Sequence, residues 1–248
     1  MDPVTQNLDN ENILLLAEYG SRAYGTATDA SDHDLIGVYL ETDAQVYGLS
    51  EAKTRQTDLG RRSTSVDTDV TLHPLHKYVS LAAGGNPTVL SLLWSPAELV
   101  EQTSPAARLL IDQRGLFITR RAITAHLGYA ISQRQALTGE RPKRVSRPEL
   151  VEAHGYDTKF AGHLLRLLMQ GIELVETGGY SLPMQDSALL LVTDVRAGRV
   201  PLAEVLELAD AFTARLRALE ENSSLPDRAD PETVDRLLIE VRRTALAG

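Results

Sequence analysis

Cysteine is absent from the 248 residues, which excludes disulfides, thiolate zinc sites and a cysteine nucleophile. Long apolar runs are absent too. Ile13–Ala17 and Ala188–Val192 are among the longest and are far too short to span a bilayer, so no membrane role is expected. The N-terminal string MDPVTQNLDNEN lacks the basic and then apolar character of a secretory signal, and the cytoplasm is the expected compartment. Positive charge is in short supply: 25 Lys and Arg stand against 34 Asp and Glu, a net charge of −9. A dedicated binder of long duplex DNA is usually basic. Any nucleic-acid contact should therefore be local, such as one strand end in one groove. Part of the negative charge is available to ligate a divalent cation, which would partly neutralise it.

What is present is ordinary in bulk, with 43% hydrophobic and 24% charged residues, and the chain is long enough to bury a self-supporting core. The first half mixes strand and helix signals. The apolar run Ile13–Glu18, ending at Gly20, reads as a short buried strand, and Leu35–Leu40 as a second. Ser65–Leu72 alternates, with Val66, Val70 and Leu72 on one side and Asp67, Asp69 and Thr71 on the other. His76–Ala83 is expected to be a helix stopped by Gly84-Gly85-Asn86-Pro87. Thr88–Trp94 fits a strand or a helix equally well. After about Ser104 the strand signals fade, and segments of helical period follow over 104–114, 119–138, 149–177, 183–197, 201–221 and 231–246. Thr138–Pro148 is basic, holds two prolines and reads as a loop. The expected fold is α+β: a small mixed β-sheet core with flanking helices over 1–103, then a helical half over 104–248.

The chemistry concentrates in Gly20-Ser21-Arg22-Ala23-Tyr24-Gly25 followed by Asp32-His33-Asp34. A strand leads into a glycine that permits a tight turn, and backbone N–H groups at the start of the next short helix can then point at phosphate oxygens. The Ser21 hydroxyl adds a donor. Asp32 and Asp34 are two apart on a strand, so their side chains share a face. Two carboxylates there can hold a pair of Mg²⁺ ions, which bridge triphosphate oxygens and stabilise the attacking and leaving oxygens of an in-line displacement. A third carboxylate is needed from a neighbouring strand. Asp67 and Asp69 both lie on the right face, and Asp69 is preferred, as a ligand of the second metal or as the base that deprotonates the acceptor hydroxyl. A lone Asp-x-Asp is most often a solvated strand end; the ordered combination of strand, Gly-Ser, Asp-x-Asp and acidic strand is what gives it weight.

That combination resembles the polymerase-β-like nucleotidyltransferase superfamily. The fuller string GSRAYGTATDASDHDLIGVYL is similar to its predicted-nucleotidyltransferase branch associated with RNA ligases. Gly85-Asn86-Pro87-Thr88-Val89-Leu90, Gly155-Tyr156-Asp157-Thr158-Lys159 and His163-Leu164-Leu165-Arg166-Leu167 fit the same branch, so the likeness covers roughly 13–200. His33 stands where the wider superfamily often has an apolar residue, and Ser91 where the branch commonly has Glu. The resemblance implies transfer of a nucleoside monophosphate from an NTP, ATP by expectation, to an acceptor hydroxyl, with pyrophosphate released and an RNA 3′ end as the expected acceptor. It implies that Gly20 and Ser21, with Arg22 and Tyr24 of the same turn, contact the NTP. Asp32, Asp34 and Asp69 would then bind two Mg²⁺ ions, a role Mn²⁺ could also fill.

A second constellation lies on segment 149–177. Lys159, His163, Arg166 and Gln170 follow one another at +4, +3 and +4 and fall in a stripe about 60° wide at 100° per residue, with Tyr156 at its edge. Leucines cover much of the remaining circumference. A stripe of Lys, His and Arg on a largely apolar helix needs a partner, and a triphosphate in a cleft between the two halves would provide one. The alternative is a structural seam paired to Asp157 or Glu173. Tyr156 would stack on base or ribose, or pack in the core. The basic run Arg141, Lys143, Arg144 and Arg147 would hold an acceptor backbone or simply solubilise a linker. Arg61-Arg62 and Arg120-Arg121 read as solvated surface, His73 and His76 as structural, Trp94 as core. Two other functions compete: the same chemistry on a protein or small-molecule acceptor, and a non-catalytic NTP-binding protein. Oligomeric state is not legible.

Overall fold

A computed structural model describes residues 12–28, 31–61, 67–140 and 147–247, without the side chains of 58–61 and 67. The expected strand residues Ser65 and Val66, the surface residue Arg62 and the loop residues Arg141, Lys143 and Arg144 lie outside that description. The elements run β1 (Ile13–Tyr19), α1 (Gly20–Ala23), β2 (His33–Tyr39), α2 (Asp43–Val46), β3 (Arg55–Arg61), β4 (Asp67–Pro74), α3 (Leu75–Ala83), α4 (Pro87–Leu92), β5 (Val100–Thr103) and α5 (Pro105–Asp112). The helical half follows as α6 (Arg120–Leu137), α7 (Pro148–His154), α8 (Thr158–Thr177), α9 (Asp186–Arg196), α10 (Leu202–Glu221) and α11 (Pro231–Ala247). Among the described residues no helix is long and apolar enough to cross a membrane.

The five strands form one mixed sheet in the order β3-β4-β2-β1-β5. β1 pairs antiparallel with β2 and β5, β3 antiparallel with β4, and β2 parallel with β4. Strand alternation divides the side chains. Ile13, Leu16, Leu35, Tyr39, Val70 and Leu72 form one apolar cluster, while Asp34 and Asp69 alternate to the opposite face. β1 is largely buried, with Leu15 and Leu16 fully enclosed; each such leucine contributes roughly 1.5–3 kcal/mol relative to exposure.

The chain divides into two compact units: residues 1–83, 88–116 and 229–248, and residues 84–87 and 117–228. The first therefore extends past the sheet to α5 and includes α11. Arg242 of α11 places Nη2 2.6 Å from Glu41 Oε2, and the backbone N–H of His76 donates to Glu41 Oε1 at 2.7 Å. Glu41 is buried, so removing either partner would leave a charge without compensation.

In the second unit α8 is the central helix and packs against α6, α9 and α10. Its core gathers Ile123, Leu127, Leu164, Leu165, Leu168 and Leu216 among others. The segment expected to be one helix over 149–177 is two. Gly155, at φ +82°, caps α7 in a left-handed conformation, which glycine adopts without the Cβ penalty. Asp157 then starts α8 by accepting from the N–H groups of Lys159 and Phe160 at 3.0 and 3.1 Å, as an N-cap carboxylate does. Tyr156 sits in that break, not on the helical stripe. It is buried, and its hydroxyl donates to the Val200 carbonyl at 2.6 Å: it is a core residue. Trp94, expected in the core, is only partly buried, with the Arg114 guanidinium 5.4 Å from its ring centroid.

His126 of α6 is fully buried. Nδ1–H donates to the Ala122 carbonyl at 2.8 Å, and Nε2 accepts from the Tyr180 hydroxyl at 3.1 Å. Burial, opposed by the bond to Ala122 and assisted by the Arg166 charge, pulls its pKa from 6.5 down to about 4. The unfolded chain takes up this proton near pH 6.5 and the folded chain does not, so stability falls as pH drops from 6.5 towards 4. The loss through this group is roughly 3 kcal/mol. Urea denaturation at pH 7 and pH 4.5 should show a steeper loss for the natural chain than for His126→Gln; equal pH slopes would remove this role for His126.

Candidate active site

The parallel register of β2 and β4 sets Asp34 opposite Asp69. The antiparallel register of β3 and β4 sets Asp58 opposite Asp69 on the other side. Asp34, Asp69 and Asp58 therefore occupy one register row across three adjacent strands, and Asp32 stands just before the start of β2. Asp34 and Asp69, opposite one another, are two carboxylates that a divalent cation could share. The donor set is all carboxylate oxygen, which suits Mg²⁺, Ca²⁺ or Mn²⁺ rather than a thiolate or imidazole metal. Donor chemistry and register thus fit a divalent ion. Among the described residues, however, no three His, Asp or Glu side chains are gathered as a ready ligand set. Asp32 and Asp69 are exposed and Asp34 is partly buried.

The Gly-Ser turn lies against this row. Gly20 has φ +67°, and a Cβ placed there would stand 2.3 Å from Asp34 Oδ2. Gly20 is therefore required twice, by its backbone conformation and by the carboxylate against it. Behind it α1 is one short turn whose backbone closes through Tyr24 N–H to the Gly20 carbonyl at 3.1 Å and Thr26 N–H to the Ser21 carbonyl at 2.8 Å. Ser21 is partly buried.

The other expected NTP contacts in the turn hold structure. Tyr24 is buried, packs edge-on against Tyr19 with centroids 5.7 Å apart, and sets its hydroxyl 3.5 Å from Ser91 Oγ. Ser91 in turn donates to the Thr88 carbonyl at 2.9 Å, and the Tyr19 hydroxyl donates to Thr88 Oγ1 at 3.0 Å. A small hydroxyl at position 91 leaves room for the Tyr24 ring. Arg22 donates from Nη2 to the Ser31 carbonyl at 3.2 Å, which ties the turn to the entry of the Asp-x-Asp strand. His33 faces away from Asp32 and Asp34, with Nδ1 2.7 Å from Glu18 Oε1 on β1. That pairing explains a polar residue at this position. Sequence reasoning gave Glu18 no role, because its partner follows from the β1–β2 pairing.

On α8 the stripe runs from solvent inward: Lys159 is exposed, His163 partly buried, and Arg166 and Gln170 buried. Arg166 Nη1 donates to Gln170 Oε1 at 2.6 Å. The carboxylates offered as structural partners are engaged elsewhere. Asp157 caps α8 and pairs with Arg147 at 3.2 Å, and Glu173 accepts from the N–H and hydroxyl of Ser181. Arg147, expected in the basic loop, is thus held on a buried aspartate. Arg120 pairs with Asp227 at 3.7 Å. His73 shares a 3.0 Å hydrogen bond with Thr54, and burial, then the Lys77 charge, lowers its pKa.

Comparison with known proteins adds three findings. The model of a family described as "RNA repair pathway DNA polymerase beta family" matches residues 3–240. An uncharacterised 38.9 kDa protein from the nrdC–mobD intergenic region of enterobacteria phage T4 is 29% identical over 120 residues, covering 46% of this chain and 35% of the phage protein. The chain thus aligns with about a third of that relative's length. A nucleotidyltransferase-like protein from Exiguobacterium sibiricum superposes with a TM-score of 0.31 at 10% identity, covering 99% of this chain and 72% of that one, a likeness too low to carry an argument.

Replacing Gly20 by Ala adds a Cβ in a left-handed conformation and against Asp34. Chemical denaturation should show a loss of at least about 1–2 kcal/mol, while Ser21→Ala stays near the natural value. Unchanged stability for Gly20→Ala would contradict the close approach of the turn and the carboxylate.

Proposed function

We propose, because the chain belongs to the RNA repair pathway DNA polymerase beta family, that it is a metal-dependent nucleotidyltransferase that moves a nucleoside monophosphate from an NTP to an acceptor hydroxyl. The acceptor is a nucleic acid, with an RNA 3′ end as the specific candidate, ATP as the expected donor and the cytoplasm as the place of action. The observation that supports this most is the register: Asp34 and Asp69 are neighbours on parallel strands, and Gly20 lies against Asp34.

In this reading Asp32, Asp34 and Asp69 would hold two Mg²⁺ ions, whose charge would stabilise the triphosphate oxygens and the leaving pyrophosphate. Gly20 lets backbone approach the phosphates and Ser21 donates to them. Asp69, as ligand or base, takes the proton of the acceptor hydroxyl. The acceptor oxygen forms a bond to the α-phosphorus, the bond from that phosphorus to the β-phosphate oxygen breaks, and pyrophosphate leaves. No protein nucleophile is required, since positioning and charge neutralisation supply most of the catalysis. The unit that holds the sheet, rather than residues 1–103 alone, carries the chemistry in this reading, and Lys159, His163 and Arg166 of the helical unit are proposed for phosphate contact. Tyr24 and Arg22 serve the turn that presents Gly20 and Ser21. One observation favours a second reading, the same reaction on a protein or small molecule: the net charge of −9 suits a polyanionic acceptor less well.

The test is incubation of the purified chain with Mg²⁺, each α-labelled NTP in turn and a total RNA pool. Label should appear on RNA. Asp34→Ala and Asp69→Ala should each reduce it by more than about 100-fold, since changes one shell further out already cost roughly 10–100-fold, with circular dichroism unchanged. Label on protein or small molecules would move the acceptor assignment; full activity in Asp34→Ala would overturn the metal assignment.

A further inference from the structure

The segment Gly85-Asn86-Pro87-Thr88-Val89-Leu90 has no task in nucleotidyl transfer as proposed, and its place in the fold supplies one. Thr88 stands in the first turn of α4. The Tyr19 hydroxyl donates to Thr88 Oγ1 at 3.0 Å across 69 positions of chain. Tyr19 is the last residue of β1, and its partner in the antiparallel register with β2 is Asp34. Directly opposed residues share a face of the sheet. Tyr19 therefore stands on the face that carries Asp34 and Asp69, immediately before Gly20. The helix it reaches is itself fixed: Val89, Leu90 and Leu92 are buried, and the Val89 carbonyl accepts from the buried Tyr78 hydroxyl at 3.0 Å.

The other end of the Gly-Ser turn reaches the same helix. Tyr24 closes α1, packs edge-on against the Tyr19 ring and sets its hydroxyl 3.5 Å from Ser91 Oγ, the outer limit of a hydrogen bond. Ser91 gives its own proton to the Thr88 carbonyl at 2.9 Å, so toward Tyr24 it is an acceptor. Residues 20–23 are thus bracketed by two tyrosines whose hydroxyls converge on Thr88 and Ser91. The turn needs such a bracket. Gly20, at φ +67°, has more backbone conformations open to it than any other residue type. α1 is a single turn, and a single turn does not hold itself together. Ring packing alone would be met by phenylalanine. Both positions carry a hydroxyl, and the shorter of the two contacts is the one beside Gly20 and Asp34.

We propose that Tyr19 and Thr88 are positioning residues for nucleotidyl transfer: their hydrogen bond holds the glycine-hinged turn where its backbone meets the phosphates beside Asp34. Neither touches substrate or metal; both act through Gly20 and Ser21. This role rests on the nucleotidyl-transfer reading, whereas the hydrogen bond itself does not.

The test uses the full chain as Tyr19→Phe and Thr88→Val, which each remove one partner of the bond at nearly unchanged volume, as the double variant, and as Thr88→Ser, which keeps the hydroxyl. Steady-state transfer is measured with varied NTP and saturating Mg²⁺. Tyr19→Phe and Thr88→Val should each lower kcat about tenfold, well within what orientation supplies. KM for NTP should stay within about twofold, because no NTP contact is removed. The double variant should be no slower than either single one, since both break the same bond. Thr88→Ser should keep the natural kcat. Backbone hydrogen exchange, followed without nucleotide or metal, should quicken at residues 20–24 in Tyr19→Phe, stay natural there in Thr88→Ser, and be unchanged elsewhere in both. Natural kcat in Tyr19→Phe, equal losses in Thr88→Ser and Thr88→Val, or additive losses in the double variant overturn the positioning role. A natural chain that transfers nothing overturns the nucleotidyl-transfer reading instead. The exchange measurement then decides whether the bond holds the turn, and unchanged exchange in Tyr19→Phe overturns that.

Discussion

The parallel pairing of β2 with β4 is the constraint on which the candidate site depends. Every other pairing in the sheet is antiparallel. Parallel neighbours require a crossover instead of a hairpin, and here the crossover contains α2 and β3. Its consequence is the register that sets Asp34 beside Asp69. A slip of one residue in either strand would send its aspartate to the opposite face, among Leu35, Val70 and Leu72. A second register, the antiparallel pairing of β1 with β2 that sets Tyr19 opposite Asp34, brings Asp34 against Gly20, so β2 is the strand at which the turn that would receive phosphates meets the carboxylates that would receive metal.

What was legible in the sequence is what local pattern encodes. β1 showed as an apolar run, β2 as a short apolar stretch, β4 as alternation, α3 by its Gly-Gly-Asn-Pro stop, and the later helices by period. The α+β architecture with a small mixed sheet and a helical second half is as expected, and the match to residues 3–240 bears out the polymerase-β-like branch. β3 did not show, because Arg-Gln-Thr-Asp-Leu-Gly-Arg lacks the alternation of a half-buried strand. It is an edge strand, with one neighbour and little need for apolar side chains. β5 is four residues of Val-Glu-Gln-Thr at the other edge. The break at Gly155 was hidden because the apolar period resumes on either side of it.

The site divides in the same way. Asp32 and Asp34 are legible as a pair two apart, but the choice of partner strand belongs to tertiary register. Tyr24 was expected at the NTP with the rest of the Gly-Ser turn, and Tyr156 either on base or ribose or in the core. Their burial comes from Ser91 and Val200, distant in sequence. Arg147 looked like linker charge until Asp157 was seen to cap α8 and accept from it. Positions whose neighbours come from far along the chain are where local reading stops.

The central claim is that the aspartate row on β2 and β4 binds the catalytic metal. The most direct measurement is electron paramagnetic titration of Mn²⁺ into the full chain with a non-hydrolysable NTP. The account predicts two bound ions per chain and the loss of at least one on replacing Asp69 with Asn. Binding that is absent with NTP present, or that survives replacement of both Asp34 and Asp69, would contradict it.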